Sequence, residues 1–179
     1  MKQILLLATI IFYATFVASA QHDRSSHEQE SKKSTTGRSL NGTPGDMPKQ
    51  LSTIFISYTN LKNALVASYA ASAALNANQL LRSINTIDFK LISEGNIHIL
   101  AKDAGNISST KDLKKQRQYF SNLSSNMVAV AKSFKLSETP IFVQYCPMKK
   151  ASWLSSEKEI KNPYYGSTML ACGEVTETL

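Results

Sequence analysis

The sequence predicts a mainly α fold, an up-and-down helical bundle of about four helices with a small C-terminal β-hairpin-like tail. Apolar residues recur at spacings of three and four over most of the stretch 48–135, which is the period of an amphipathic helix. After Pro140 the composition shifts to β-branched and aromatic residues, which favour strands. The links between the helical stretches are short, and short links favour antiparallel neighbours in a bundle.

The first two helices are predicted by a regular pattern. A single apolar stripe indicates a first helix from about Pro48 to Val66, and its members are Leu51, Ile54, Tyr58, Leu61 and Leu65. Ser68 is a candidate N-cap for a second helix, which continues to Ile84. Small side chains on that helix allow a neighbour to approach closely, and they are Ala70, Ala73, Ala74 and Ala77. We expect two antiparallel helices joined by a tight turn.

The sequence pattern for the third helix is weaker than the pattern for the fourth. Asp88 is a candidate cap for a weaker third helix, whose apolar positions are Ile92, Ile99 and Leu100. Gly95-Asn96 is a candidate interruption of this helix, and Gly105-Asn106 is its expected end. A long fourth helix is predicted from Thr110 as cap to about Lys135. Its apolar positions are Leu113, Phe120, Leu123, Met127, Val130 and Phe134.

The tail, residues 139–179, is expected to contain two strands. The first covers Ile141–Tyr145, between two prolines, and the second covers Thr168–Val175. Between them, residues 155–160 are compatible with one helical turn, and Asn162–Gly166 has the composition of a turn. If the two strands pair, the cysteines near their ends face each other.

The N-terminal residues predict export. Residues 1–20 have the pattern of a secretory signal peptide, with expected cleavage after Ala20, so no stable membrane anchor is expected afterwards. Residues 21–48 are polar and nearly devoid of large apolar side chains, which indicates a disordered polar linker. Residues 49–179 are then a single helical-bundle domain of ordinary size. The expected location is the periplasm or the outside of the cell.

The positive charge does not predict nucleic-acid binding. The formal net charge is +7, but the basic residues are scattered and lack interleaved aromatic residues. Lys111, Lys114 and Lys115 fit a solvated face of the fourth helix. Arg117 falls among apolar positions of that helix, and we expect it to donate hydrogen bonds to carbonyls of the tail or to meet an acidic partner.

Two pairs of sulfur-bearing residues are the main candidate for a functional site. Cys146 and Met148 form one pair, and Met169 and Cys172 form the other. Thiolate and thioether ligands select soft metals, Cu(I) above all, so these four residues are the predicted metal ligands. No other cofactor is predicted. Such a site would serve metal handling.

A disulfide is the alternative explanation for the cysteines. Thiols tend to oxidise outside the cytosol, and closing a loop of about 26 residues would stabilise the fold by about 3.5 kcal/mol. In that case the protein is a disulfide-stapled (Cys146–Cys172) interaction module of the cell envelope with no metal role. The two explanations are compatible if the cysteines bind a metal when they are reduced and form the disulfide when they are oxidised.

Enzymatic activity is not expected. Cys146 has no evident His and Asn or Asp partners in a nucleophile motif, and the sequence contains no Cys-x-x-Cys pair. His98 is expected to be a partly buried polar residue rather than a ligand. Trp153 and Tyr164 are expected to pack the tail onto the bundle.

The tail also resembles an uncharacterised family of exported bacterial domains. The resemblance rests on Val143–Met148, Trp153–Ser155, Glu159–Tyr164, Gly166, Met169–Leu170, Cys172–Gly173 and, upstream, on Leu61–Val66, Gln116–Arg117, Phe120 and Leu123–Ser124. Domains of that family also occur fused to periplasmic adaptor subunits of heavy-metal efflux pumps. The resemblance therefore implies an adaptor or another metal-efflux component as partner, and metal buffering or delivery to efflux as the task of the four-sulfur site. The segment Lys149–Ser152 is shorter than the usual insertion at this place.

Overall fold

The computed structural model describes residues 46–87 and 94–179, which contain four α-helices and three β-strands. The helices are α1 (Asp46–Val66), α2 (Ala70–Ile84), α3 (Glu94–Ser108) and α4 (Leu113–Ser133). Each packs on the next along the chain, as in an up-and-down bundle. The predicted fold class, a mainly helical bundle with a small β tail, is confirmed. None of the described helices is long and apolar enough to span a membrane.

The caps of two helices differ from the prediction. Ser68 has a φ of 60°, in the left-handed region, and the N-cap of α2 is Tyr69. A capping residue needs extended backbone, so Ser68 cannot serve, and its hydroxyl accepts a hydrogen bond from Arg117 instead. Asp112 rather than Thr110 caps α4, because its carboxylate reaches the free N–H groups of Lys114 and Lys115.

Helix α3 begins at Glu94, so Gly95-Asn96 lies in its first turn, and the segment before it lies outside the described residues. The helix continues beyond Gly105-Asn106 to Ser108, so the predicted end is wrong. A glycine inside a helix costs only about 1 kcal/mol, which tertiary packing offsets. The buried apolar side chains of α3 are Ile97, Leu100, Ala104 and Ile107. The predicted cap at Asp88 lies outside the described residues. Helix α4 ends at Ser133, two residues before Lys135.

The tail is a three-stranded antiparallel sheet rather than a hairpin of two strands. Its strands are β1 (Phe142–Cys146), β2 (Ala151–Ser155) and β3 (Glu174–Thr178), in the order β2-β1-β3. The first predicted strand is confirmed with a shift of one residue. The second, at 168–175, is wrong for most of its length, since Gly166–Met169 is a 3-10 helix. Residues 155–160 form the end of β2 and a bend rather than a helical turn.

Aromatic residues join the sheet to the bundle. The rings of Tyr58 and Phe120 stack at 5.5 Å, Phe120 lies 5.8 Å from Tyr164, and Tyr164 meets Trp153 edge-on at 5.9 Å. The buried Tyr58 hydroxyl also accepts a hydrogen bond from the Leu154 N–H at 3.0 Å. The chain of rings runs from α1 through α4 to β2, as expected for Trp153 and Tyr164. It holds the sheet, and thereby its cysteine end, at a definite place on the bundle.

Candidate functional site

The two cysteines meet at one end of the sheet. Cys146 is the last residue of β1, and Cys172 lies two residues before β3. Strands β1 and β3 are antiparallel, with Tyr145 opposite Glu174, so both cysteines fall at the same end. Their Sγ atoms are 3.7 Å apart, and both are free thiols. This distance is a van der Waals contact and well beyond the roughly 2.05 Å of a disulfide bond.

A tight turn covers the thiol of Cys146. The side chain is fully buried, and its Sγ accepts a hydrogen bond from the Lys149 N–H at 3.4 Å. The turn is closed by a hydrogen bond from the Lys150 N–H to the Cys146 carbonyl at 2.8 Å, and Lys150 has a left-handed φ of 55°. The local backbone therefore directs an amide proton at this sulfur.

Cys172 is held by the loop that precedes it. Its N–H donates to the Met169 carbonyl at 3.1 Å, and its own carbonyl accepts from the side-chain amide of Asn162 at 2.7 Å. The next residue, Gly173, has a φ of 151°, and a Cβ there would lie 2.8 Å from the Tyr145 carbonyl oxygen. Only glycine fits this close approach of the loop to β1.

Asn162 organises the whole loop from 162 to 172. Its side chain is fully buried, and its Oδ1 accepts hydrogen bonds from the N–H groups of Tyr164 at 2.8 Å and Tyr165 at 3.3 Å. Its backbone N–H donates to the Leu170 carbonyl. The Asn-Pro pair at 162–163 predicts a turn, which is the only local signal at this position. The bond to Cys172 spans ten residues and has no such signal.

The environment of Cys172 favours the protonated thiol. Loss of solvation raises its pKa, and the neighbouring Cys146 raises it further, whereas the backbone of Met148 acts in the opposite direction. Two thiols in contact cannot both ionise easily, since the second negative charge meets the first. A metal ion that binds here must therefore displace protons.

The methionines flank the thiol pair. Met148 lies in the turn after Cys146, and its side chain is 65% exposed. Met169 ends the 3-10 helix before Cys172 and is partly buried. The structure thus brings the two thiols into direct contact, and the two methionines lie on the backbone segments that adjoin them.

Among the described residues, no third potential ligand of the harder kind accompanies the two thiols. These residues contain no group of three or more His, Cys, Asp or Glu side chains that could hold a metal ion. His98 is exposed on α3, so the expectation that it is partly buried is wrong.

Arg117 joins the bundle to the same loop. Its Nε donates to the Pro163 carbonyl at 3.0 Å, and its Nη2 donates to the Leu65 carbonyl at 3.0 Å and to the Ser68 hydroxyl at 2.9 Å. The predicted hydrogen bond to a carbonyl of the tail is confirmed. One side chain of α4 thereby fixes the α1–α2 turn against the loop that carries Cys172.

Comparison with known proteins gives one family match. Residues 54–139 match the model of a family described as a protein of unknown function (DUF3347). The match covers the bundle from α1 to the residues before β1, and it ends before the first cysteine. No curated protein and no solved structure matches significantly. The match is consistent with a domain of unknown function, as the resemblance implies.

Proposed function

We propose that this protein binds a soft metal ion, foremost Cu(I), in the periplasm or outside the cell, and that it buffers the ion or delivers it to an efflux component. The observation that carries the proposal is the 3.7 Å contact between the Sγ atoms of Cys146 and Cys172. Met148 and Met169 supply the thioether ligands.

The spacing of the thiols suits two neighbouring ligands of one ion. With a metal–sulfur distance of about 2.3 Å, two sulfurs 3.7 Å apart subtend an angle of about 107° at the metal. This is close to the tetrahedral angle, and it leaves two positions for thioethers. Cu(I) suits such a ligand set better than Zn(II), because thioethers are soft donors and no cluster of His or carboxylate ligands accompanies the thiols in the described residues.

Anaerobic Cu(I) titration against a chromogenic competitor tests the proposal. Reduced protein that begins at Gln21 is expected to bind one Cu(I), and the Cys146→Ser, Cys172→Ser double variant is expected to lose that binding. Met148→Leu and Met169→Leu each remove one thioether and are expected to weaken binding less than the loss of the thiols. Met47→Leu is the matched control, because it removes a thioether at the start of α1, outside the tail. Equal Cu(I) affinity in the wild type and the double cysteine variant excludes the site.

A disulfide-stapled interaction module is the second candidate. The same contact favours it, because the sulfurs need to approach by less than 2 Å to form the bond. In this case the protein docks on a periplasmic adaptor or another envelope partner and is indifferent to copper. Intact mass before and after thiol alkylation, on protein taken from its own compartment, distinguishes the two candidates. The alkylation is done on unfolded protein in the presence of a Cu(I) chelator, because Cys146 is buried and a bound ion would also protect the thiols. Two alkylated thiols then exclude the disulfide, and two unreactive cysteines support it.

A further inference from the structure

A cleft with a volume of about 430 Å³ opens beside the tail. It lies between the first turns of α4, the turn after β1 and the loop that follows Asn162. Its lining residues are Leu113, Lys114, Arg117, Lys149, Tyr164 and Tyr165. This volume lies within the range of about 300–1,000 Å³ that is usual for small-molecule sites.

The lining of the cleft is positively charged. Three of the six lining residues are basic and none is acidic. The ion pairs found among residues 46–87 and 94–179 involve Lys132, Lys135 and Lys161, and none of the cleft cations. Asp112 is the nearest acidic residue in the sequence, but its carboxylate accepts the N–H groups of Lys114 and Lys115 and does not line the cleft. The cleft therefore has an excess of positive charge.

Arg117 gives the cleft a fixed positive charge. Its guanidinium is partly buried, and its hydrogen-bond partners, the carbonyls of Leu65 and Pro163 and the Ser68 hydroxyl, are all neutral. Loss of solvation lowers the pKa of Arg117. A partly desolvated cation is stabilised by an opposite charge, so an anion in the cleft would offset part of the cost of burying it.

We propose that this cleft binds a small organic phosphate, with the phosphate between Lys114, Arg117 and Lys149 and the carbon part against Leu113 and Tyr165. A phosphate monoester carries close to two negative charges at neutral pH and presents several acceptor oxygens. It therefore matches three cationic donors better than a single carboxylate does. The aromatic and aliphatic walls favour a ligand with an apolar ring over a bare inorganic ion.

The cleft is separate from the metal chemistry, although it adjoins the thiol pair. Lys149 lines the cleft, and its N–H donates to Cys146 Sγ. Phosphate binding requires neither thiol. The Cys146→Ser, Cys172→Ser variant is accordingly expected to bind the phosphate probe as the wild type does, whatever the result of the copper experiment.

Isothermal titration with three probes tests the proposal. Phenyl phosphate is expected to bind the reduced protein at least about tenfold more tightly than benzoate or inorganic phosphate, because only phenyl phosphate has both the dianion and the ring. The Lys114→Gln, Lys149→Gln double variant is expected to weaken phenyl phosphate binding at least about tenfold. Both lysines are exposed, so these substitutions should preserve the fold.

The control is the Lys111→Gln, Lys115→Gln double variant. It removes the same charge from exposed positions at the same end of α4, outside the cleft. It is expected to leave the affinity for phenyl phosphate within about twofold. Equal weakening in both double variants, equal affinity for inorganic phosphate and phenyl phosphate, or no binding of phenyl phosphate each overturns the assignment.

Discussion

The side-chain amide of Asn162 donates a hydrogen bond to the carbonyl of Cys172 at 2.7 Å. This bond fixes the residue whose thiol meets Cys146, and Asn162 itself contacts neither sulfur in the hydrogen bonds described. Asn162 is therefore a positioning residue for the thiol pair. Substitution of Asn162 should therefore change the geometry of the thiol pair while both sulfurs remain.

Asn162→Ala is expected to loosen the thiol pair and to cost about 1–3 kcal/mol of stability, because buried backbone groups lose their partners. At a fixed ratio of reduced to oxidised glutathione, a smaller fraction of the variant should carry the Cys146–Cys172 disulfide. Urea unfolding and alkylation followed by mass spectrometry measure the two effects. The control is Asn126→Ala, whose amide bonds only the Asn122 carbonyl in α4. An unchanged thiol–disulfide equilibrium in Asn162→Ala argues against the positioning role.

Cu(I) affinity is expected to rise with pH. The pKa of Cys172 is raised by burial and by Cys146, so near neutral pH the ion must displace protons from the thiols. Displacement of two protons gives a change of up to about a hundredfold per pH unit, and of one proton about tenfold. Competition titrations at about pH 6 and about pH 8 measure the slope, with the competitor calibrated at each pH. Cys146→Ser should halve the slope on a logarithmic scale, and a slope of zero contradicts thiolate ligation.

The buried Lys62 makes the free energy of unfolding depend on pH in the alkaline range. Its side chain is 1% exposed, its Nζ lies 3.4 Å from the Ser155 hydroxyl, and burial lowers its pKa while Glu157 partly opposes the shift. Because the folded pKa is below the unfolded value, the unfolded chain binds more protons between the two values. The contribution of Lys62 to the free energy of unfolding therefore rises with pH across that window.

Lys62→Met removes this dependence. At about pH 7 the variant is expected to equal or exceed the wild type in stability, by up to about 2 kcal/mol, because it no longer buries a charge. Near pH 10 the difference should shrink, since the wild-type lysine is neutral in more of both states. Urea unfolding at both pH values measures the difference in the free energy of unfolding between Lys62→Met and the wild type. Lys111→Met, at an exposed position, should change stability by less than about 0.5 kcal/mol at either pH. A Lys62→Met advantage that grows with pH has the wrong sign for this account.

Substitution by alanine should destabilise the fold at Gly166 and stabilise it at Gly105. Gly166 has a φ of 58°, and a Cβ there would lie 2.6 Å from the Ser68 hydroxyl and 2.8 Å from the Val66 carbonyl oxygen. Gly166→Ala should therefore cost about 1–3 kcal/mol. Gly105 lies inside α3 with open space around the added methyl, so Gly105→Ala should gain about 0.5–1 kcal/mol. Thermal and urea unfolding test both. Two changes of the same sign contradict the argument.

The helices were predictable because their signal is local. The stripe from Leu51 to Leu65 and the one from Leu113 to Val130 each recur within a single element, and the structure buries most of their members. Strand β2 was missed because Ala151–Ser155 has no alternating pattern of its own. This segment is a strand because it pairs with β1. The pairing is a contact between segments and leaves no pattern within 151–155. Tertiary packing also explains why α3 continues past Gly105-Asn106, since Ala104 and Ile107 are buried on either side of the pair.

The sequence by itself determined the helical bundle, the change to strands after Pro140 and the choice of sulfur as the candidate chemistry. The tertiary structure decided the 3.7 Å contact of Cys146 with Cys172, the support of that contact by Asn162 and the basic cleft around Arg117. Periodicity and composition act within a few residues of the chain. The thiol pair joins two segments of the tail through the pairing of β1 with β3, and the cleft joins the tail to α4, so both depend on contacts between segments more than twenty residues apart.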